Sequence, residues 1–298
     1  MTGNVADQPL ITQKTRLTRR TFLRGSAAAA AGLALYSGEI ARHEISVTTH
    51  TVAIANLPGA FDNFRIAQIS DIHFDEYTES SFLHRVLAQV NALAPDLVLL
   101  TGDYISHSPL SYNFVLGAMH RCAEALGDIA CPLRFAVMGN HDYMLGASVI
   151  QPILAAAGIP LLVDQYVPIE RAGQRLWLCG VDDPVSQLPK LSRAIPAKPD
   201  GPVLLMSHGP DYADDVLAHP RGRLVDLMLA GHSHGGQVRL PLIGALHTPF
   251  GGQKYVEGLF QLGRMQLYVN RGIGTVGLPF RLNCPPEITL FTLTSSQL

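Results

Sequence analysis

The chain has 298 residues, of which 47% are hydrophobic and 15% are charged, and its formal net charge is −2. This length accommodates one large domain or two small ones, with enough apolar content for a sizeable core. The near-neutral charge excludes a nucleic-acid binder that relies on overall positive charge, so no nucleic-acid partner is expected.

The first predicted element is a basic segment, Thr18–Arg24, followed by the Ala- and Gly-rich run Gly25–Leu35. This pattern is typical of a bacterial export signal, and the paired arginines followed by Phe-Leu resemble a twin-arginine signal. The run is too short for a membrane span, which needs about 20 apolar residues, so it is either cleaved after Ala34 or kept as a loose anchor. The alternative interpretation is an Ala-rich helix with basic residues at its start.

The export interpretation places residues 1–45 outside the folded domain, which then spans residues 46–298. It makes the twin-arginine export machinery a partner of this protein. It also predicts a location in the periplasm or on the outer face of the cytoplasmic membrane, with peripheral membrane contact.

Beyond residue 46, apolar runs that predict strands alternate with segments whose apolar residues have helical spacing. The first half predicts strands at His50–Ala55, Phe64–Ser70, Leu97–Leu100 and Leu133–Met138, and helices at Ser80–Leu93, Tyr112–Leu126 and Val149–Ala157, the last with Pro152 in its first turn. The second half predicts strands at Leu161–Val163, Leu176–Gly180, Val203–Met206, Leu227–Ala230, Leu267–Asn270 and Ile288–Leu293, with a short helix-containing insertion at Pro184–Asp200. We therefore predict an α/β fold with two packed mixed β-sheets flanked by helices.

Polar residues follow directly on five of these strands. The blocks are Asp71-Ile72-His73, Gly102-Asp103, Gly139–Asp142, Ser207-His208 and Gly231–Gly236. Ligands of α/β sheets bind beyond the carboxyl ends of the strands, so side chains this far apart in sequence can converge there. The blocks supply carboxylate, amide and imidazole groups but no thiolate, and the four scattered cysteines are expected to be buried hydrophobic side chains. This set suits a pair of harder divalent cations, with manganese, iron and zinc as candidates.

Two of the blocks repeat one arrangement. Asp71 and His73 are two residues apart on a segment expected to be extended, so both side chains face the same way and can hold one metal. His232 and His234 have the same spacing. The glycines around them let the backbone and the substrate come close, because they lack a Cβ.

The remaining blocks supply ligands of other kinds. Asp103 has two carboxylate oxygens and can bridge two cations, Asn140 offers a neutral amide oxygen, and His208 adds a nitrogen. The histidines outside the blocks lack this placement after a strand, and we expect them to be surface or core residues: His43, His50, His84, His107, His120, His219 and His247.

The ordered blocks Asp-x-His, Gly-Asp, Gly-Asn-His-Asp, His and Gly-His-x-His, from about Arg65 to His234, resemble the calcineurin-like metallophosphoesterase family. The segments Asn270–Gly277 and Asn283–Glu287 resemble the exported or membrane-associated bacterial branch of that family. The resemblance implies a fold of two β-sheets between helices. It implies one metal held by Asp71, His73, Asp103 and His234, and another held by Asp103, Asn140, His208 and His232. It further implies that His141 is not a ligand but a proton donor beside the site.

One departure from the family pattern concerns the residues after Asp103. The family's protein phosphatases place Asp and Arg there, whereas this chain has Tyr104–His107. The missing Arg argues against a phosphoprotein phosphatase. The missing Asp leaves His141 without its usual orienting partner, a place that Asp142 or a backbone carbonyl can take. Arg271 can contact a substrate phosphate, since guanidinium groups match phosphate oxygens, or it can face water in a turn.

These features predict a binuclear metal-dependent phosphodiesterase or pyrophosphatase that acts on a small-molecule or lipid-linked phosphoester. Two cations about 3.5–4 Å apart can share and acidify a water, so a metal-bridging hydroxide is the expected nucleophile and His141 the general acid. A non-catalytic metal-binding protein on the same fold is the alternative of another class, although no residue of the pattern is missing.

A narrower candidate comes from the family branch, namely hydrolysis of UDP-2,3-diacylglucosamine in lipid A synthesis. The apolar segments Leu242–Phe250 and Leu278–Phe280 would then touch the acyl chains. The export signal counts against this substrate, because that nucleotide lipid is made on the cytoplasmic side.

Overall fold

The computed structural model describes residues 18–74, 77–107 and 111–296, so residues 1–17 of the expected signal region lie outside the described residues. The strands are β1 (Ser46–Ala55), β2 (Arg65–Ile69), β3 (Leu97–Leu100), β4 (Arg134–Ala136), β5 (Gln165–Arg171), β6 (Gln174–Gly180), β7 (Val203–Met206), β8 (Leu227–Ala230), β9 (Arg239–Leu240), β10 (Gly244–Ala245), β11 (Gly258–Leu262), β12 (Met265–Val269) and β13 (Glu287–Ser296). The α-helices are α1 (Arg19–Leu35), α2 (Ser80–Ala92), α3 (Tyr112–Leu126), α4 (Ala147–Ala156), α5 (Leu191–Ala194) and α6 (Ala213–Ala218).

The strands form two mixed sheets, which confirms the predicted architecture. The order in the first sheet is β1-β13-β2-β3-β4, with β13 antiparallel to β2 and the other pairs parallel. The order in the second sheet is β11-β12-β8-β7-β6-β5, in which only the edge strands β11 and β5 are antiparallel to their neighbours. β9 and β10 pair separately as a short hairpin. The parallel strands β2, β3 and β4, and likewise β7 and β8, therefore end at one edge of their sheet.

The central strands are buried on both faces, which explains their continuous apolar sequences. Successive residues of β3 alternate between the two faces. Leu97 and Leu99 pack in the core that joins the two sheets, whereas Val98 and Leu100 pack with residues of α2, α3 and α4. A third core lies between the second sheet and α5 and α6. All four cysteines are buried, as predicted.

The sequence pattern does not predict β5 and β11, and both are edge strands. Most residues of β5 are exposed, and it contains Pro168, a residue that edge strands tolerate. The predicted strand Leu161–Val163 contributes a single bridge, from Leu161 to the end of β4. The prediction that Pro152 lies in the first turn of its helix is wrong, because α4 begins at Ala147.

The N-terminal helix α1 is exposed along its whole length. The segment that follows it, residues 36–43, packs on the body of the protein, where Arg42 donates to the Tyr77 carbonyl and to a Glu79 carboxylate oxygen 2.7 Å away. No helix within the described ranges combines the length and the hydropathy that a membrane crossing requires. The export signal and the domain division at residue 45 stay predictions, since a helix is compatible with both interpretations of the segment.

Candidate metal centre

The five polar blocks lie in the loops that follow β2, β3, β4, β7 and β8, and these loops are joined by hydrogen bonds. The Asp71 amide donates to the Gly102 carbonyl at 2.9 Å, and the Gly231 amide donates to the His208 carbonyl at 3.0 Å. The His232 amide donates to both carboxylate oxygens of Asp71 at 3.1 and 3.0 Å. The structure thus brings together residues as far apart in sequence as Asp71 and His232, which are separated by 161 positions.

One group of side chains comprises Asp71, His73 and His234, all buried. His234 Nε2 lies 3.3 Å from Asp71 Oδ1 and 3.1 Å from His73 Nε2. His73 Nε2 also lies 3.6 Å from Asp103 Oδ2. These nitrogen and oxygen atoms converge on one point, as the ligands of a single cation do.

A second group comprises Asp103, Asn140, His208 and His232. His208 Nε2 lies 3.1 Å from Asp103 Oδ2, 3.2 Å from Asn140 Oδ1 and 3.1 Å from His232 Nδ1. The same oxygen of Asp103 therefore reaches both groups, which is the arrangement expected of a bridging carboxylate. The two groups contain the residues that the family resemblance implies as the two ligand sets.

The tautomers of His208 and His232 indicate why this cluster fits a cation. His208 Nδ1 lies 2.8 Å from the Thr101 carbonyl, and His232 Nε2 lies 2.8 Å from the Phe250 carbonyl. Carbonyl oxygens only accept hydrogen bonds, so these two nitrogens carry the ring protons. When both rings are neutral, the lone pairs of His208 Nε2 and His232 Nδ1 face each other across 3.1 Å. Such an approach needs a proton or a metal ion between the nitrogens, and backbone carbonyls commonly orient metal-binding histidines in this way.

The electrostatics of the cluster keep three of its four rings neutral and favour a proton on the fourth, His208. Burial lowers the pKa of His73, His232 and His234, which keeps these rings neutral, the form that binds a metal. Burial acts in the same direction on His208, but the nearby Asp103 carboxylate outweighs it and raises the pKa of His208 well above its usual value. Burial alone would raise the pKa of Asp103, but the neighbouring His208 ring lowers it well below its usual range. Asp103 therefore stays ionised.

Glycines in the blocks make room for the carboxylates. A Cβ added to Gly139 would lie 2.2 Å from Asp103 Oδ1, and one added to Gly231 would lie 2.4 Å from Asp71 Oδ2. Real Cβ atoms do not approach other atoms so closely. From the sequence, we expect the glycines of the blocks to let the backbone and the substrate come close. The structure shows that two of them also leave space for the carboxylates of candidate ligands.

The backbone at the ligands is strained. Asp71, His73, Asp103, His232 and His234 have φ values of 53°, 48°, 56°, 70° and 51°, in the left-handed region. The expectation that the Asp-x-His and His-x-His pairs are extended is therefore wrong. Left-handed conformations cost non-glycine residues about 1–2 kcal/mol each. Such strain clusters at functional sites, where the surrounding structure enforces it.

His141 lies next to the first group, with a ring nitrogen within 4.8 Å of ligand atoms of His73 and Asp103. Its Nδ1 accepts a hydrogen bond from the His107 backbone amide, at 2.6 Å. The orienting partner is thus a backbone N–H, and the expectation of Asp142 or a backbone carbonyl is wrong. Because an amide only donates, the neutral His141 ring carries its proton on Nε2.

Asp142 does not orient His141 but binds backbone amides of two loops. Its carboxylate accepts the backbone amides of Asp103, Tyr104 and Gly139 at 2.9, 2.9 and 2.8 Å. Burial, with the Asp103 carboxylate nearby, raises the pKa of Asp142 to about 8. Asp142 therefore braces the loops after β3 and β4 against each other and positions the backbone that carries Asp103.

The structure does not place Arg271 among the residues that line the cleft at the metal centre. Its Nε lies 3.2 Å from Glu287 Oε2 and 4.0 Å from Glu257 Oε2, and the side chain is mostly buried. The guanidinium of Arg271 thus already forms ion pairs with two carboxylates. Contact between Arg271 and a substrate phosphate stays a prediction without support from this geometry.

Sequence reasoning missed Arg281, which is fully buried. Its guanidinium donates to the backbone carbonyls of Arg271, Gly272, Gly274 and Cys284. The loop that it holds donates the Gly274 amide to the Asp71 carbonyl at 2.7 Å. Arg281 thus supports the backbone behind a candidate ligand. A single arginine in the stretch Leu-Pro-Phe-Arg-Leu carries no sequence signal of this role.

Comparison with known proteins shows the family of this chain. The family model of calcineurin-like phosphoesterases matches residues 64–236. The metallophosphoesterase YkuE of Bacillus subtilis (strain 168) is 33% identical over 295 residues, which cover 95% of this chain and 99% of YkuE. The phosphodiesterase YaeI of Escherichia coli (strain K12) is 32% identical over 298 residues, which cover 93% of this chain and 99% of YaeI. The chain belongs to the calcineurin-like phosphoesterase family.

Proposed function

We propose that this protein is a binuclear metal-dependent phosphoesterase that cleaves phosphodiester or pyrophosphate bonds. The observation that carries the proposal is the position of Asp103 Oδ2, 3.6 Å from His73 Nε2 and 3.1 Å from His208 Nε2. One carboxylate oxygen thereby joins two groups of buried ligand atoms. Asp71, His73, Asp103 and His234 would hold one cation, and Asp103, Asn140, His208 and His232 the other.

Two bound cations would supply acidified water and compensate the negative charge that develops on phosphorus-bound oxygens. The protein's own residues orient and protonate the substrate. His141 borders the cleft beside the metal centre, and its Nε2–H can donate a hydrogen bond to the leaving oxygen. Asn140 lines the same cleft and adds no charge there. A phosphodiester has a single negative charge, which suits a cleft whose described lining contains no Lys or Arg.

Hydrolysis of bis(p-nitrophenyl) phosphate tests this function. Protein stripped with a chelator is expected to be inactive, and added Mn²⁺, Fe²⁺ or Zn²⁺ is expected to restore turnover, because the ligand atoms are carboxylate, amide and imidazole groups. Elemental analysis of the active form should find two ions per chain. Protein that binds two ions but hydrolyses no phosphodiester or pyrophosphate would instead be the non-catalytic metal-binding protein.

We also propose that the chain is exported through the twin-arginine system to the periplasm or the outer face of the cytoplasmic membrane. The support is the exposed helix α1, which begins with Arg19-Arg20-Thr21-Phe22-Leu23 after the capping residue Thr18. Export signals of this kind are read by a receptor, so changing both Arg19 and Arg20 to Lys is expected to retain the protein in the cytoplasm. Fractionation of cells that express the full chain measures this, with Arg24→Lys as the matched control. Equal export of the double variant would contradict the proposal.

UDP-2,3-diacylglucosamine hydrolysis is a second candidate. The apolar wall of the cleft, with Leu246, Leu278 and Phe280, supports an acylated substrate. Two properties count against the nucleotide portion, namely the proposed export and the lack of a Lys or Arg side chain in the described lining that could face a diphosphate. Assays with this nucleotide lipid beside bis(p-nitrophenyl) phosphate separate the two candidates.

A further inference from the structure

The cleft at the metal centre has two unlike walls. It has a volume of about 480 Å³, and the polar part of its lining includes Asp103, His141, His232 and His234. The apolar part of its lining consists of Val238, Leu246, Pro249, Val276, Leu278 and Phe280. A ligand that binds across both walls has a polar phosphoester at one end and an apolar group at the other.

The hairpin of β9 and β10 projects apolar side chains into solvent beside this cleft. At its tip, Leu242 is fully exposed and Ile243 is 71% exposed. Leu242 has a φ of 67°, in the left-handed region that favours Gly or Asn. A fully exposed leucine in this conformation contributes neither to the core nor to the turn. Strained residues of this kind are maintained where they have a function.

The apolar character continues around the opening of the cleft. Leu246, Phe250 and Leu278 are 57%, 79% and 63% exposed. Leu246 and Leu278 line the cleft itself, and the carbonyl of Phe250 bonds the ring of His232. Clustered exposed apolar side chains are unusual on soluble proteins and mark surfaces that bind a partner or a membrane. We name these five residues the apolar rim: Leu242, Ile243, Leu246, Phe250 and Leu278.

The helix α1 ends beside the same rim. Ala31 and Leu35 of α1 line a second cavity together with Pro279 and Phe280, and Phe280 also lines the cleft at the metal centre. The helix has three arginines and no acidic residue, and the arginines lie in its first two turns next to Phe22 and Leu23, which are 64% and 56% exposed. Basic segments next to apolar side chains suit a membrane surface with anionic lipids. The basic start of α1 and the exposed apolar side chains of the rim thus favour one binding partner, a lipid bilayer.

We propose that the apolar rim docks on an anionic lipid surface and that the apolar wall of the cleft holds the acyl or alkyl chain of a lipid-linked phosphodiester, with the phosphate at the metal centre. This proposal rests on the proposed phosphoesterase function and specifies its substrate class. Binding at the surface would bring the mouth of the cleft to the headgroup level, where such a phosphate lies.

A matched pair of substrates tests the chain-binding part. Methyl p-nitrophenyl phosphate and hexadecyl p-nitrophenyl phosphate share the bond that is cleaved and the leaving group, and differ only in chain length. With the hexadecyl diester in phosphatidylglycerol vesicles, kcat/KM is expected to exceed that for the methyl diester by about tenfold or more, because docking holds the enzyme at the surface that contains the hexadecyl chain and raises the effective substrate concentration. If neither diester is hydrolysed, the proposed function fails. If both are hydrolysed at equal rates, only the present inference fails.

A rim variant tests the docking part. The change of Leu242→Asn together with Ile243→Ser keeps a residue that tolerates left-handed backbone at the turn, so Tm is expected to be unchanged or higher. Sedimentation with phosphatidylglycerol vesicles is expected to fall by about tenfold or more, since each leucine-sized side chain contributes at least that much. The preference for the hexadecyl diester should fall with it. Leu188→Asn, at a site that is 91% exposed and outside the cleft lining, is the control. Unchanged vesicle binding of the rim variant, or an equal loss in the control, would overturn the proposal.

Discussion

Replacing Asp103 by Ala is expected to lower turnover of bis(p-nitrophenyl) phosphate by about 10³-fold or more and to lower the metal content of the protein. The reason is geometric, since Asp103 Oδ2 contacts both His73 Nε2 and His208 Nε2. Removing this carboxylate takes a ligand from both cations and leaves the facing nitrogens of the second group without a compensating negative charge. Steady-state kinetics and elemental analysis of the same preparation measure the two effects.

A gentler change at the same carboxylate strengthens the test. Gly139→Ala keeps every ligand, but its Cβ would lie 2.2 Å from Asp103 Oδ1 and force that side chain to move. We expect metal affinity to fall by about 10–100-fold, as it does when the groups that orient a ligand are altered. Gly59→Ala is the matched control, because a Cβ there meets nothing within 4 Å. Wild-type activity and metal content in both Asp103→Ala and Gly139→Ala would refute the bridging role.

The convergence of the site could be predicted from the sequence because it depends on a simple rule. Strands that are buried on both faces are recognisable as apolar runs, and in this chain β3, β7 and β8 coincide with the predicted runs. Chemistry-bearing residues directly after such strands then lie at one edge of the sheet. Asp103 and His208 were placed in this way without any knowledge of contacts.

Other features depend on contacts that the local sequence does not encode. β5 was missed because an edge strand is mostly exposed, so its residues show neither a continuous apolar run nor a clear alternation. The extended conformation expected at Asp71 and His73 was wrong because hydrogen bonds from neighbouring loops enforce left-handed backbone there. His247 is an exposed residue, as expected, but its position at the cleft cannot be read from the local sequence. Tertiary packing decides each of these features.

Replacing His141 by Ala is expected to lower turnover by about 10²–10⁴-fold while both metals are retained. The proposed role is proton donation to the leaving oxygen, so the loss should depend on the leaving group. A p-nitrophenolate leaves readily without protonation, whereas an alkoxide does not. We therefore expect a larger loss for a dialkyl phosphate than for bis(p-nitrophenyl) phosphate. His120→Ala, which removes an exposed histidine of α3, is the control.

The contact between the His107 amide and His141 Nδ1 sharpens this prediction. Full proton transfer from Nε2 requires the doubly protonated ring, in which Nδ1–H and the His107 N–H would face each other, so this contact must open during the reaction. If His141→Ala lowers turnover equally for both leaving groups, the ring acts instead as a fixed hydrogen-bond donor in its neutral form. If the variant also loses metal, His141 is a ligand, which its position within 4.8 Å of ligand atoms of His73 and Asp103 would explain. The leaving-group series and the metal analysis thus distinguish three roles for the His141 ring, namely general acid, neutral hydrogen-bond donor and metal ligand.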